Sequence, residues 1–369
     1  MRALVTGGAG FIGSHVVDAL VERGHDVVIY DTLEPQVHQE KRIPDYLNKR
    51  AEFVNCTIRD KHKLKEVVMD VDVVLHHAAM VGVAQSMYQI EDYIAVNTAG
   101  TAKLLDILAN EEHNVKKLVV ASSMSVYGEG KYICEACGVV YPQLRPKEQL
   151  SAREWAMKCP KCGKGVKAAP TDEDKPLHPT SIYAISKRDQ EEMSLVTGRA
   201  YGIPTVALRY FNVYGPRQSL SNPYTGVCAI FSSRIKNNSN PIVFEDGGQC
   251  RDFISVHDIV RANILVMNTT RADYDVYNVG TGTPTSISEI ADILIGLYGK
   301  KLSPDIVHTY RSGDIRHCYA DVSKIRKIGF KPEIVFAEGM KELVKWGESV
   351  EANDKFEHAQ EELETRGLV

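Results

Sequence analysis

The chain alternates short, wholly apolar runs with stretches whose apolar residues recur every three to four positions. Ala3-Leu4-Val5-Thr6 is followed by glycines at 7, 10 and 13, and Phe11 to Arg23 then has helical periodicity. Asp26-Val27-Val28-Ile29-Tyr30 and Val71-Asp72-Val73-Val74-Leu75 read as further buried strands. A helical stretch from Gln89 to Ala109 leads to another strand, Lys117-Leu118-Val119-Val120-Ala121. Repeated strand–helix alternation predicts an α/β fold, a doubly wound parallel sheet with its ligands at the carboxyl ends of the strands. Residues of about 129–178 break the pattern. A further helix opens near Ser181, and residues 351–369 are mostly charged and expected to form a loosely held tail.

The spacing Gly7-x-x-Gly10-x-x-Gly13, with Phe11 and Ile12 inside it, suits a tight turn from strand to helix. Such a turn brings backbone close to a pyrophosphate and aims a helix N-terminus at its charge. Glycines alone are a weak signal. Asp31 strengthens it, because a carboxylate at the end of the second strand can accept both hydroxyls of an adenosine ribose and repels a 2′-phosphate. Thr32 rather than Arg follows it, so NAD is expected over NADP. His76-His77-Ala78-Ala79 leaves another strand end. Its small residues suit cofactor contact, and two adjacent histidines face different ways, which disfavours a metal pair.

Composition narrows the class. Hydrophobic residues make up 44% of 369 positions, enough for a large core, and the net charge of -4 lacks the basic surplus of a dedicated nucleic-acid binder. No apolar run reaches membrane-spanning length, and the order of a signal peptide is missing before Ala3, so a cytoplasmic location is expected. Four of the eight cysteines form two pairs, Cys134/Cys137 and Cys159/Cys162, each followed by glycine. Four thiolates at this spacing suit tetrahedral Zn²⁺ in a structural role, since no coordination position stays open for catalysis. Iron also suits four sulfurs, and two separate redox pairs or a vestigial site are the remaining readings. Cys56, Cys228, Cys250 and Cys318 read as ordinary small side chains.

Tyr183 and Lys187 lie four apart on one helical face. An ammonium beside a phenol favours the phenolate, drawing an acid of pKa about 10 toward operating pH. Such a tyrosine can take a proton from a hydroxyl while Ser123, at a strand end, holds that hydroxyl. Tyr-x-x-x-Lys is common on helix surfaces, and its weight comes from following the glycines, Asp31 and Ser122-Ser123 in order. Later in the chain Arg251 and Arg311 sit in separate loops. A single loop arginine is most often a solvated charge, but two planar forks suit a diphosphate.

These motifs together resemble the extended short-chain dehydrogenase/reductase family, in its nucleotide-sugar 4-epimerase branch, over residues 1–345. The resemblance implies catalytic Ser123, Tyr183 and Lys187, and NAD held tightly by Gly7, Gly10 to Gly13, Asp31, Thr57, Ile58, His77 to Ala79 and Asn97, with Tyr183 and Lys187 beside it. It also implies a nucleotide-diphosphate sugar held by Ser125, Asn212, Arg251, Arg311 and Asp314. Related chains usually carry Asp where Thr57 stands, so the adenine amine meets an uncharged acceptor here. The expected organisation is an NAD-binding Rossmann domain over 1–180, containing the 129–178 insertion, and a 181–350 portion that completes the sheet and supplies the sugar-nucleotide lobe. A homodimer through helices of about 89–110 and 181–200 is implied, with no nucleic-acid or membrane partner. Ser86-Met-Tyr, Ser123 to Gly130, Ser221 to Val227 and Val243 to Gly247 resemble dTDP-L-rhamnose 4-epimerases, which make dTDP-6-deoxy-L-talose. UDP-glucose/UDP-galactose or UDP-N-acetylhexosamine 4-epimerisation is the alternative. A 4,6-dehydratase is disfavoured because Met124-Ser125 stands where that chemistry needs two carboxyl groups, and a decarboxylase and a non-catalytic binding scaffold are the other readings left open.

Overall fold

Alternate residues of the central strands serve two different cores, which is how a nearly continuous apolar run becomes a sheet covered on both faces. The computed structural model describes residues 1–38 and 41–368. In β1 (Arg2–Thr6) Ala3 and Val5 join one core and Leu4 the other; in β2 (Asp26–Asp31) Val27 and Ile29 are set against Val28 and Tyr30. β3 (Glu52–Asn55) is less buried, whereas β4 (Val73–His76) and β5 (Lys117–Ser123) repeat the split, with Val119 opposite Leu118 and Val120. The insertion contributes β6 (Lys131–Cys134), β7 (Gly138–Val140) and β8 (Lys167–Ala169), an antiparallel sheet of order β7-β6-β8.

After it come β9 (Thr205–Tyr210), β10 (Asn212–Tyr214), β11 (Ile242–Val243), β12 (Cys250–Ser255), β13 (Asp275–Val279), β14 (Pro284–Ser286), β15 (Asp305–Ile306) and β16 (His317–Cys318). The main sheet has seven parallel strands in the order β13-β9-β5-β4-β1-β2-β3. Its order reverses between β1 and β4, and the crevice above that point is where an open parallel sheet takes a ligand. This is the expected doubly wound Rossmann-type sheet. A smaller lobe has its own core, in which Phe231, Val243, Phe253 and Leu294 are buried together. Among the described residues no helix is long and apolar enough to cross a membrane.

Two glycines fix the first turn. Gly7 has φ +68°, and a Cβ there would lie 2.8 Å from the Ala78 nitrogen; a Cβ on Gly13 would meet the Gly7 oxygen at 2.2 Å. The helix Phe11–Glu22 can therefore start against β1 only without side chains at those positions.

The structure corrects the expectation of a loose C-terminal tail. Phe356–Thr365 is a helix whose Ala359 and Leu363 are buried. Glu362 accepts from Tyr88 Oη at 2.8 Å and from Tyr224 Oη, while Arg234 pairs with Asp354 and Glu357. The Leu368 carbonyl accepts from the Ser312 nitrogen at 3.0 Å. Charged composition concealed an amphipathic stripe, Phe356, Ala359 and Leu363, whose i, i+3, i+7 spacing was its readable signal.

Candidate functional site

Strand ends and loop segments from both lobes converge on one cavity of about 570 Å³. From the sheet it is lined by Gly7, Gly10 to Gly13, His77, Ala79, Ser122 to Ser125, Tyr183 and Lys187, and from the smaller lobe by Asn212, Phe231, Phe244, Arg251, Arg311 and Asp314. The C-terminal helix closes one side with Phe356, Ala359, Gln360 and Leu363. The volume falls in the range of small-molecule sites.

Ser123 ends β5 and caps the short turn Met124–Tyr127 by accepting from the Ser125 nitrogen. Tyr183 enters from the helix Ile182–Tyr201, whose first turn is capped by Ser181 accepting from the Ala184 nitrogen at 3.1 Å. Ser86 Oγ accepts from the Tyr183 nitrogen at 3.0 Å, and the Tyr93 ring packs edge-on to the Tyr183 ring. Burial raises the Tyr183 phenol above its usual value, and a hydrogen bond from Ser123 opposes that. Lys187 is buried and donates to Gln190 Oε1 at 2.7 Å. Burial brings its ammonium down to about 7, with the Glu191 carboxylate opposing. The protein's own groups therefore favour the phenolate less than the Tyr–Lys spacing alone suggested, and what lowers the phenol is Ser123.

Gln190 and Glu191 were not singled out from sequence, although each lies within one helical turn of Lys187. Besides holding Lys187, Gln190 donates to Thr101 Oγ1 at 2.7 Å; Glu191 accepts from Ser122 Oγ at 2.6 Å and forms a buried bidentate pair with Arg209.

The two histidines do part ways. His76 is fully buried between Thr6 Oγ1, at 2.7 Å, and Thr101 Oγ1, at 2.9 Å. His77 turns to the cavity, its ring stacked 6.3 Å from Tyr210, and both its ring nitrogens are buried without a partner. Asn212 Oδ1, also on the cavity wall, is likewise unpartnered.

Other predicted residues lie off the wall. Asp31 accepts from the Ala9 nitrogen at 3.0 Å and the Leu33 nitrogen at 2.9 Å, at the end of β2. Ile58 packs under Gly100, and Thr57 Oγ1 accepts from the Arg59 nitrogen at 3.3 Å. Asn97 is fully buried in a π-helical turn, where it exchanges hydrogen bonds with the Met80 backbone and donates to Ser186 Oγ. It braces the loop after β4 against the Tyr183 helix.

On the cavity wall contributed by the smaller lobe, Arg251 donates to the carbonyls of Cys250, Ile315 and Arg316. Arg311 donates to Asp314 at 2.8 Å and lies 4.7 Å above the Phe244 ring. Outside the cavity, the sulfurs of Cys134, Cys137, Cys159 and Cys162 all fall within 4.8 Å of one another, with Cys134 and Cys162 3.6 Å apart. A tetrahedron with metal–sulfur bonds of about 2.3 Å has sulfur–sulfur edges of about 3.8 Å, so the cluster has the right size for an ion. Burial works against ionising Cys159, yet backbone N–H groups of Lys161 and Cys162 bring it down to about 7.

The NAD dependent epimerase/dehydratase family matches residues 3–153 and 159–280. A Methanocaldococcus jannaschii protein provisionally named a UDP-glucose 4-epimerase is 36% identical, over 93% of this chain and 97% of that protein. The dTDP-L-rhamnose 4-epimerase of Burkholderia thailandensis is 33% identical, over 94% of each. Among solved structures, the UDP-glucose 4-epimerase of Thermotoga maritima with UDP-glucose superposes with a TM-score of 0.76. It is 31% identical and covers 95% of this chain and 99% of its own.

Proposed function

The chain belongs to the NAD dependent epimerase/dehydratase family, and on that footing we propose that it epimerises a nucleotide-diphosphate sugar at C4 through a transient 4-keto sugar, with NAD retained throughout. The observation that carries this reading is the convergence of Ser123, Tyr183 and Lys187 on the same cavity as the glycine turn and the Arg251/Arg311 loops. The pattern of relatives favours a UDP-sugar over dTDP-L-rhamnose, although one relative acts on the latter by name. The cations on the cavity wall are Lys187, Arg251 and Arg311. Lys187 is engaged with Gln190, and the guanidinium forks of Arg251 and Arg311 suit the nucleotide's diphosphate.

The residues present fit NAD. The turn at Gly7 and Gly13 admits no side chain, His77 lines the cavity with both its ring nitrogens buried and unpartnered, and Asp31 stands at the end of β2. Gly10 to Gly13 and His77 to Ala79 would hold its pyrophosphate and nicotinamide halves, Asp31 its ribose, and Thr57 and Ile58 its adenine. Bound NAD⁺ supplies the hydride acceptor, and in reduced form the donor. Ser123 holds the C4 hydroxyl by a hydrogen bond and Tyr183 removes its proton, then returns it after the keto sugar has turned over. Lys187 fixes the polarity of that end of the cavity, and Asn212, Arg251 and Arg311 anchor the nucleotide diphosphate while the hexose rotates. Met124 and Ser125 offer no carboxyl group for eliminating water, which separates this site from dehydration.

The Cys134/Cys137/Cys159/Cys162 cluster is read as a structural Zn²⁺ site. Residues 1–180 with the insertion at 129–178 form the cofactor domain, and 181–350 complete the sheet and the sugar-nucleotide lobe. Ile90, Ile185 and Val196 are exposed on the helical segments of 89–110 and 181–200, a face suited to a homodimer that sedimentation would detect.

The deciding experiment offers C4-deuterated UDP-glucose, UDP-N-acetylglucosamine and UDP-xylose, beside dTDP-L-rhamnose, in ordinary water. Deuterium retained at C4 of both epimers, with no water lost, is expected. A 4-keto-6-deoxy product formed from a 6-hydroxy sugar, or washout of the label, overturns the mechanism.

A further inference from the structure

The insertion does more than carry cysteines. Between its two cysteine pairs lies Arg145, whose side chain is only 2% exposed and forms a bidentate pair with Glu245 at 2.7 and 2.8 Å. Glu245 is 1% exposed and is shared with Arg316, which also pairs with Asp246. Arg145 further donates to the Trp155 carbonyl, inside the insertion, and reaches the Asp314 carbonyl at 3.4 Å. One insertion side chain thus ties together two remote segments, 244–246 and 314–316.

Those segments are what the two cavity arginines rest on. Phe244, next to Glu245, is the platform under Arg311, and Asp314 is its carboxylate partner. The carbonyls of Ile315 and Arg316 are the acceptors that orient Arg251. A second insertion residue, Glu129, accepts from the Arg316 and His317 nitrogens at 2.7 Å each. Glu245 itself holds a φ of +56°, a conformation that a side chain of its size rarely adopts unless its surroundings enforce it. A buried ion pair adds little net stability, because desolvation roughly cancels its attraction, whereas a bidentate fork fixes orientation.

We propose that Arg145 is a positioning residue for the substrate's diphosphate: through Glu245 and Arg316 it sets the placement of Arg251 and Arg311, which makes the cysteine insertion part of the nucleotide-binding machinery. This rests on the reading of Arg251 and Arg311 as the diphosphate anchors. Its signature is a change in ground-state binding of the nucleotide with the chemical step left intact, because Ser123 and Tyr183 hang on other elements.

The test measures UDP and dTDP binding by calorimetry to full-length protein carrying Arg145→Met, alongside kcat and KM for the preferred sugar nucleotide. NAD content and near-UV circular dichroism report folding. Nucleotide affinity is expected to fall roughly tenfold or more, with KM rising in parallel and kcat within about threefold of wild type. Arg145→Lys keeps the charge without the fork and should fall between. Unchanged nucleotide affinity in the folded Arg145→Met protein, or loss of kcat at constant KM, overturns the proposal. If Arg145→Met does not fold, Glu245→Gln, which keeps the shape and removes the charge, is judged by the same criteria. Arg251→Ala and Arg311→Ala separate the two readings. If neither weakens UDP or dTDP binding, the diphosphate assignment fails and this inference with it. If both do and Arg145→Met does not, only the inference fails.

Discussion

Ser125 donates its hydroxyl hydrogen to Ser123 Oγ at 2.9 Å, and the Ser125 nitrogen donates to the same oxygen at 3.2 Å. With its oxygen so engaged, Ser123 keeps its own hydrogen to donate, either to Tyr183, where it opposes the burial that raises the phenol, or to the C4 oxygen of a bound sugar. Tyr183→Phe should therefore cut kcat by about 10²–10⁴-fold, the usual worth of general acid–base help, while bound NAD is retained. Ser125→Ala should cost far less, about threefold to tenfold, the worth of one ordinary hydrogen bond, because Ser125 orients Ser123 without touching the proton in flight. Steady-state rates with NAD content measured on the same samples check both. Equal losses from the two substitutions would contradict this order of roles.

Asp31 tests the cofactor's ribose. Its carboxylate already accepts two backbone N–H groups, so Asp31→Ala should lose stability as well as cofactor. Denatured wild-type protein should release NAD⁺ or NADH, and the variant markedly less. Retention of a full complement of NAD by the variant, or preference of the wild type for NADP, contradicts the assignment.

Zinc tests the cysteine cluster. Elemental analysis is expected to give close to one Zn per chain, lost on changing Cys134 and Cys137 to Ser. The double variant should lose hydrogen-exchange protection around 130–170 while keeping kcat. Protein made with zinc present that carries no metal refutes the site.

The C-terminal helix tests how the cavity is closed. Leu363 is buried against the cavity and Glu362 is held by two tyrosines. Leu363→Asp, which puts an unpaired charge in that wall, should raise KM for the sugar nucleotide about tenfold or more, with NAD content unchanged. An unchanged KM would show that the helix does not bear on the substrate.

Acid should destabilise the protein through its histidines. Burial, reinforced by the Lys187 charge, holds His76 and His77 down to about 3, against about 6.5 when unfolded. Between those values the native state binds fewer protons than the unfolded one. The stability their neutral rings contribute is fully present above pH 6.5 and is lost as pH falls toward 3. Thermal melts from pH 7.5 to 4.5 should show a falling Tm, with a shallower slope in His77→Phe. Parallel slopes would remove His77 from the account.

What sequence made legible was whatever is local and periodic. The β1 turn was readable because glycine at 7 and 13 answers a steric demand within a few residues, and the sheet because Val27 to Tyr30 and Leu118 to Ala121 leave no polar face. Arg145, Glu129 and Glu245 were opaque for the converse reason. Each looks like an ordinary surface charge, and its burial is decided by a partner about a hundred or more positions away. Asn97 reads by resemblance as a cofactor residue, and its buried hydrogen bonds to Met80 and Ser186 depend on partners that local pattern does not reveal. The C-terminal helix was readable in principle from Phe356, Ala359 and Leu363, but its charge count outweighed its spacing.

The cavity wall includes both Gly7 and Leu368, and that span has a consequence for how the protein comes into being. The glycine turn, His77, Ser123, Tyr183 and Lys187 all emerge from the ribosome before β9 and β13, which complete the sheet under them. Contacts of such long sequence separation form late, after a large loop-closure entropy has been met. A nascent chain can therefore display the elements of a dinucleotide cradle well before it possesses a floor or a roof for the sugar. Cofactor present during synthesis would stabilise that partial structure by mass action, so the yield of folded protein should depend on NAD supply more than on sugar-nucleotide supply.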